Sequence, residues 1–157
     1  GAKTLLDYGC GKAVEYNDGN IREYWGVDLI ALYDPAYAPY SELPEGKYDG
    51  VVCTDVLEHC DSQDIPWIID EIFNHASKFV FANIACYPAK KTLPNGENAH
   101  CTIQPLEWWK PIFDDCASRH GIAYFVIVES LEHGDQLITS VVPGNLPTQT
   151  SPSSRPL

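Results

Sequence analysis

Three short apolar runs of this chain each end on an aspartate. Thr4-Leu5-Leu6-Asp7 passes at once into Tyr8-Gly9-Cys10-Gly11, and Tyr24-Trp25-Gly26-Val27 ends at Asp28. Tyr48-Asp49-Gly50-Val51-Val52-Cys53-Thr54 ends at Asp55, before Val56-Leu57-Glu58-His59. A continuous apolar run closed by a glycine turn is the form of a buried parallel strand that delivers its chain to a ligand crevice. In an open parallel sheet that crevice lies beyond the carboxyl ends of the strands, so Asp7, Asp28 and Asp55 are expected to face it together. Packing alone gives no reason for three strands to close on carboxylates.

Helical spacing follows. Ile65, Ile68, Ile69, Ile72 and Phe73 recur at three and four residues, which predicts a helix over 64–76 with Asp61 or Ser62 at its start. A further strand is predicted over 78–84, then a polar segment whose Pro88, Pro94 and Asn95-Gly96 are too rich in turn formers to be regular. A second helix is expected over 105–120, with Pro111 either inside it or dividing it, and Gly121 at its end. The β-branched runs 122–128 and 137–142, separated by Glu132-His133-Gly134-Asp135, read as an antiparallel hairpin. Alternating strands and helices closed by a hairpin indicate one three-layer α/β domain over 1–143, and the Pro, Ser and Thr composition of 144–157 reads as a flexible tail.

Composition removes several function classes. The 157 residues carry 22 acidic against 10 basic side chains, a net charge of -12, which repels phosphate backbones and argues against DNA or RNA as a partner. No stretch approaches the roughly 20 apolar residues of a bilayer span, so no membrane association is expected. The six cysteines are scattered without a CxxC pair and read as reduced thiols of a cytoplasmic protein. The chain opens at Gly1 on an apolar run and holds no Met, from which an excised or incomplete N-terminus is expected.

Gly9-Cys10-Gly11 lets backbone approach a ligand closely, and its amides suit a carboxylate or phosphate. Asp28 follows at about twenty residues, the interval of an acid that accepts hydrogen bonds from ribose hydroxyls. Together they describe a nucleoside-type cofactor site. A dinucleotide fingerprint needs a third glycine where Val14 stands, which weakens an NAD or FAD reading and leaves a Rossmann-type oxidoreductase as a rival only.

With Gly26-Val27-Asp28 and the segment from Tyr48 to His59, the run Leu5-Leu6-Asp7-Tyr8-Gly9-Cys10-Gly11 resembles the class I S-adenosylmethionine-dependent methyltransferases. The resemblance implies a Rossmann-like sheet of seven strands in order 3-2-1-4-5-7-6, the last antiparallel. It implies that Asp7, Gly9, Cys10 and Gly11 surround the methionine end of S-adenosylmethionine, that Asp28 binds the ribose and that Leu29 packs near the adenine. Asp55 and Val56 would lie beside the cofactor and open onto a small-molecule acceptor, such as a hydroxyl of a sugar or metabolite. Two departures stand out: Asn17-Asp18-Gly19-Asn20 interrupts the first helix, and the proline-bearing stretch from Asp28 to Tyr48 is too short for a helix, a strand and a helix. The sheet is therefore expected to be compressed there, with Asp34 or Tyr37 contributing to the adenine pocket.

Methyl transfer is an in-line displacement, so the protein chiefly supplies alignment in a dry site, plus a general base where the acceptor is an alcohol. His100, on the polar segment, and His59 are the candidate bases. No metal site is expected: His59, Cys60, His100 and Cys101 match no short ligand spacing, and adjacent His-Cys side chains diverge when extended. The alternative is a degenerate methyltransferase-like domain that binds without turnover.

Overall fold

A computed structural model describes residues 1–16, 20–132 and 136–144 of the chain. The expected 144–157 tail thus lies, but for Gly144, outside the described residues, as do most of the turn at 17–20 and the centre of the hairpin turn.

The order of elements is β1 (Thr4–Tyr8), α1 (Ile21–Trp25), β2 (Leu29–Tyr33), β3 (Tyr48–Thr54), α2 (Ile65–His75), β4 (Ala76–Cys86), α3 (Leu106–His120), β5 (Ala123–Glu132) and β6 (Gln136–Gly144). The strands form one sheet in the order β2-β1-β3-β4-β5-β6, parallel except for the antiparallel β5–β6 pair. The fold is mixed α/β. Among the described residues no helix is long and apolar enough to cross a membrane.

The second apolar run is not a strand. Tyr24 and Trp25 close α1, and Gly26 takes the left-handed conformation (φ 67°) that ends a helix. The Gly26 amide bonds Glu23 O and the Val27 amide bonds Arg22 O, a Schellman closure that side-chain-free Gly26 accommodates. β2 begins one residue after Asp28, and the next carboxylate at its far end is Asp34. Between β2 and β3 only a single 3-10 turn, Ala38–Tyr40, is formed, so the compression is complete and no strand occupies that interval.

The order differs from the one implied by resemblance. β4 pairs with β5 without a break from Phe79↔Ala123 to Cys86↔Ser130, which closes the slot an inserted final strand would need. β6 therefore lies at the outer edge, where Pro143, which has no amide to give to a ladder, is tolerated.

Coverage of the sheet is unequal. Ile65, Ile69, Ile72 and Phe73 of α2 and Trp109, Phe113 and Cys116 of α3 pack with Leu6, Tyr8, Val51, Cys53, Val80, Ala82, Ile84, Tyr124 and Val126 in one core. Pro111 is carried inside α3 without dividing it, so the apolar stripe of the helix is continuous. On the opposite face the alternate residues Val52, Phe79, Phe81 and Ile127 are only partly buried and Phe125 is exposed. Among the described residues the expected third layer is reduced to α1 and a 3-10 turn at Val14–Tyr16, because the connections after β1 and β2 are short.

Candidate functional site

β1 and β3 run side by side, with Asp7 opposite Val52, and their carboxyl ends open onto a cavity of about 900 Å³. Its polar lining is Asp7, Gly9, Cys10, Gly11, Lys12, Glu15 and Asp55; its apolar lining includes Leu5, Val52, Phe79, Phe81 and Phe125 of the less covered face, with Ala2, Ile21, Trp25 and Val27 towards the amino ends of the strands. The volume is that of a small-molecule site. Five of the residues singled out from the first and third motifs, Asp7, Gly9, Cys10, Gly11 and Asp55, thus share one space.

Gly9 is required for two reasons. Its φ of 90° is rarely adopted by other residues, and a Cβ there would lie 2.2 Å from Val56 Cγ2. Val56 is thereby packed on the turn rather than in the cavity wall. Asp55 leaves β3 in the left-handed conformation (φ 56°), which aspartate tolerates better than most residues, held by its amide on Asn83 O (3.0 Å) and by Asn83 Nδ2 donating to Oδ1 (3.3 Å).

The amides of the glycine turn are not free. Gly9 N–H (2.7 Å) and Cys10 N–H (3.0 Å) both donate to Tyr33 O, and Gly11 N–H donates to Asp34 Oδ2 (2.8 Å). The expectation of donors offered to an anion is corrected: the end of β2 already takes them. Asp34 also accepts from Ala36 N–H (2.8 Å), so it clamps the turn after β1 to the loop after β2.

Asp28 and Leu29 are corrected as well. The Asp28 amide bonds Lys3 O and its carboxylate lies 3.7 Å from Lys3 Nζ in an exposed ion pair, before β1 and β2 begin. Leu29, paired with Thr4, is exposed at that same amino edge. Neither reaches the crevice, because the strand starts after them instead of ending on them. Asp34 holds the place assigned to Asp28, and the uninterrupted run Leu29-Ile30-Ala31-Leu32-Tyr33 before it was the available signal.

Asp7 sits among like charges. Burial pushes its carboxyl above the usual range, Tyr16 Oη donating to Oδ2 (2.7 Å) draws it back, and Glu15 and Asp34 add to the rise. Such a pocket favours a positively charged occupant. Burial also pushes the Cys10 thiol up to about 11, so it is not an activated nucleophile.

His59 and His100 do not line this cavity, yet the fold brings them together with ring centroids 4.7 Å apart. His59 ends a 3-10 turn after β3, and His100 lies on the polar segment after β4. That segment is ordered by Asn98, whose Oδ1 accepts from Ala89 and His100 amides and whose Nδ2 donates to Ala89 O, all at 2.9 Å. Buried Thr102 joins it to the 3-10 turn through its amide on Glu58 O (3.0 Å) and its hydroxyl on Cys60 O (2.7 Å). Glu58, missed from sequence, is fully buried beside the two rings, and its burial pushes its carboxyl above the ordinary range.

In comparisons with known proteins, the chain matches no protein-family model and no curated protein.

Proposed function

We propose that the chain is a class I, Rossmann-like methyltransferase that uses S-adenosylmethionine on a small-molecule acceptor bearing a hydroxyl, such as a sugar or metabolite. The observation that carries this reading is the pairing of occupied amides with three carboxylates, Asp7, Glu15 and Asp55, in the cavity lining. A pyrophosphate needs free N–H donors at the glycine turn, and those of Gly9, Cys10 and Gly11 are bonded to Tyr33 and Asp34. A ligand with a sulfonium and an ammonium group is matched instead by Asp7, Glu15 and Asp55.

Asp7 and the turn from Gly9 to Gly11 would hold the methionine end, and Asp34 the ribose hydroxyls, with Tyr37 near the base. S-adenosylmethionine supplies an electrophilic methyl group when bound. Phe79, Phe81 and Phe125 keep the cavity apolar, which strengthens the charge interactions at its polar end. His100 and His59 lie outside the cavity lining with their rings together, and in this reading either imidazole would accept the hydroxyl proton of the acceptor.

Calorimetry with S-adenosylmethionine and S-adenosylhomocysteine tests the reading. Binding is expected, weakened at least about tenfold in Asp34→Ala, the loss of one charge-assisted contact, and unchanged in Asp28→Ala. Absence of binding, or tighter stabilisation by NAD in a thermal-shift comparison, overturns it. The sparse cover over Phe125 favours a second reading, a binding domain without turnover. Cofactor binding with no product across hydroxyl acceptors would select that one.

A further inference from the structure

We propose that Glu58, His59 and His100 bind a divalent transition-metal cation of the zinc type. One ligand atom from each lies within 4.8 Å of the other two. Glu58 has no exposed surface; one oxygen, Oε1, accepts the Ala85 amide (3.1 Å), and Oε2 is buried with no hydrogen-bond partner. An unpaired carboxylate oxygen away from water is costly, and buried polar atoms of native proteins are as a rule satisfied. A cation beside Oε2 would satisfy it.

His59 Nδ1 lies 2.8 Å from Ala99 O and His100 Nδ1 lies 2.6 Å from Tyr87 O. A carbonyl only accepts, so Nδ1 carries a hydrogen in both rings, and in its uncharged form each ring offers its lone pair at Nε2. That is how metal-ligating histidines are oriented by a carbonyl on the other nitrogen. Asn98 and Thr102 fix the segment that presents His100, so its half of the site is formed by the fold.

Cys60 Sγ is turned to Val56 O and Cys101 Sγ to Cys60 O, so the thiols do not join the cluster. Two imidazoles and a carboxylate are three protein ligands, leaving a fourth position open, and imidazole suits zinc where magnesium or calcium want oxygen alone. Bonds of about 2.0–2.2 Å around zinc place ligand atoms about 3.3–3.6 Å apart, so binding draws the cluster inward by about an ångström. Exposed His59 can supply that movement.

The site stands whether or not the chain transfers methyl groups. With the cation bound, both imidazoles act as ligands rather than as bases. Calorimetric titration of the full chain with zinc chloride is expected to show one site, and Glu58→Gln, His59→Ala and His100→Ala are each expected to weaken it at least about tenfold. Cys60→Ser with Cys101→Ser is expected to leave it unchanged. Circular dichroism of each variant checks that it is folded. The proposal is overturned by absence of a saturable site, by equal affinity in the three folded ligand variants, or by loss of binding in the cysteine pair alone. Zinc is read here without any nucleoside present, so this result and that of the cofactor titration are separate.

Discussion

The two faces of the sheet are built from the same strands and do different work. On one, Leu6, Val51, Val80 and Tyr124 are sealed under α2 and α3; on the other, their neighbours Leu5, Val52, Phe81 and Phe125 floor a cavity with little helix above it. A single peptide register thus assigns alternate residues to a sealed core and to the lining of a cavity. The difference teaches that damage to the first face is expected to unfold the chain, whereas damage to the second changes what it binds.

The largest expected effect lies on the sealed face. Trp109 is fully buried with its indole N–H on Gln104 O (3.0 Å), and Trp109→Ala is expected to cost about 3–5 kcal/mol in urea denaturation. Next comes the rim where the two faces meet. Gly9→Ala drives a Cβ into Val56 at a positive φ and is expected to cost about 1–3 kcal/mol. Adding Val56→Ala should recover the steric part alone; a double-mutant cycle with no coupling would remove the contact from the account.

A smaller effect concerns Asp7. Because burial raises its folded carboxyl above the unfolded value near 3.8, the folded state holds its proton longer. This contribution to stability is therefore present at acid pH and is lost as pH rises from the unfolded value through the folded one. Asp7→Asn is expected to stabilise the ligand-free chain at neutral pH, to lose that advantage below about pH 4, and to weaken a cationic ligand. A pH series of thermal melts checks the sign. The smallest effect is on the open face, where Phe125→Ser at a position 41% exposed is expected to cost under about 1 kcal/mol. A larger loss would show that the two faces are not as unequal as their cover.

Much of this was legible in the chain. β1, β3, the hairpin and both long helices follow from apolar periodicity, and Asp7, Gly9, Cys10, Gly11 and Asp55 from the strand-to-turn transitions. The second motif was misplaced because an apolar tetrapeptide containing Gly26 serves equally as a strand or as the end of a helix, and only the backbone bonds of Gly26 and Val27 decide. The open face was not legible either. Phe79, Phe81, Phe125 and Ile127 make their strands read as buried on both sides, and apolar runs carry no record of how few residues remain to cover them. Glu58 was missed because a glutamate next to a histidine after a strand looks like a solvated turn; its burial is decided by Thr102 and Ala85, far away along the chain.

The bonds from Gly9, Cys10 and Gly11 to Tyr33 and Asp34 have a consequence for amide hydrogen exchange. A glycine loop that waits for its ligand exchanges its protons freely until that ligand arrives. Here the three protons are already held by the neighbouring strand end, so slow exchange is expected in the ligand-free protein, with little change when S-adenosylmethionine is added. The bonds that shape the turn are made on folding, and a ligand would have no ordering of that segment left to bring about.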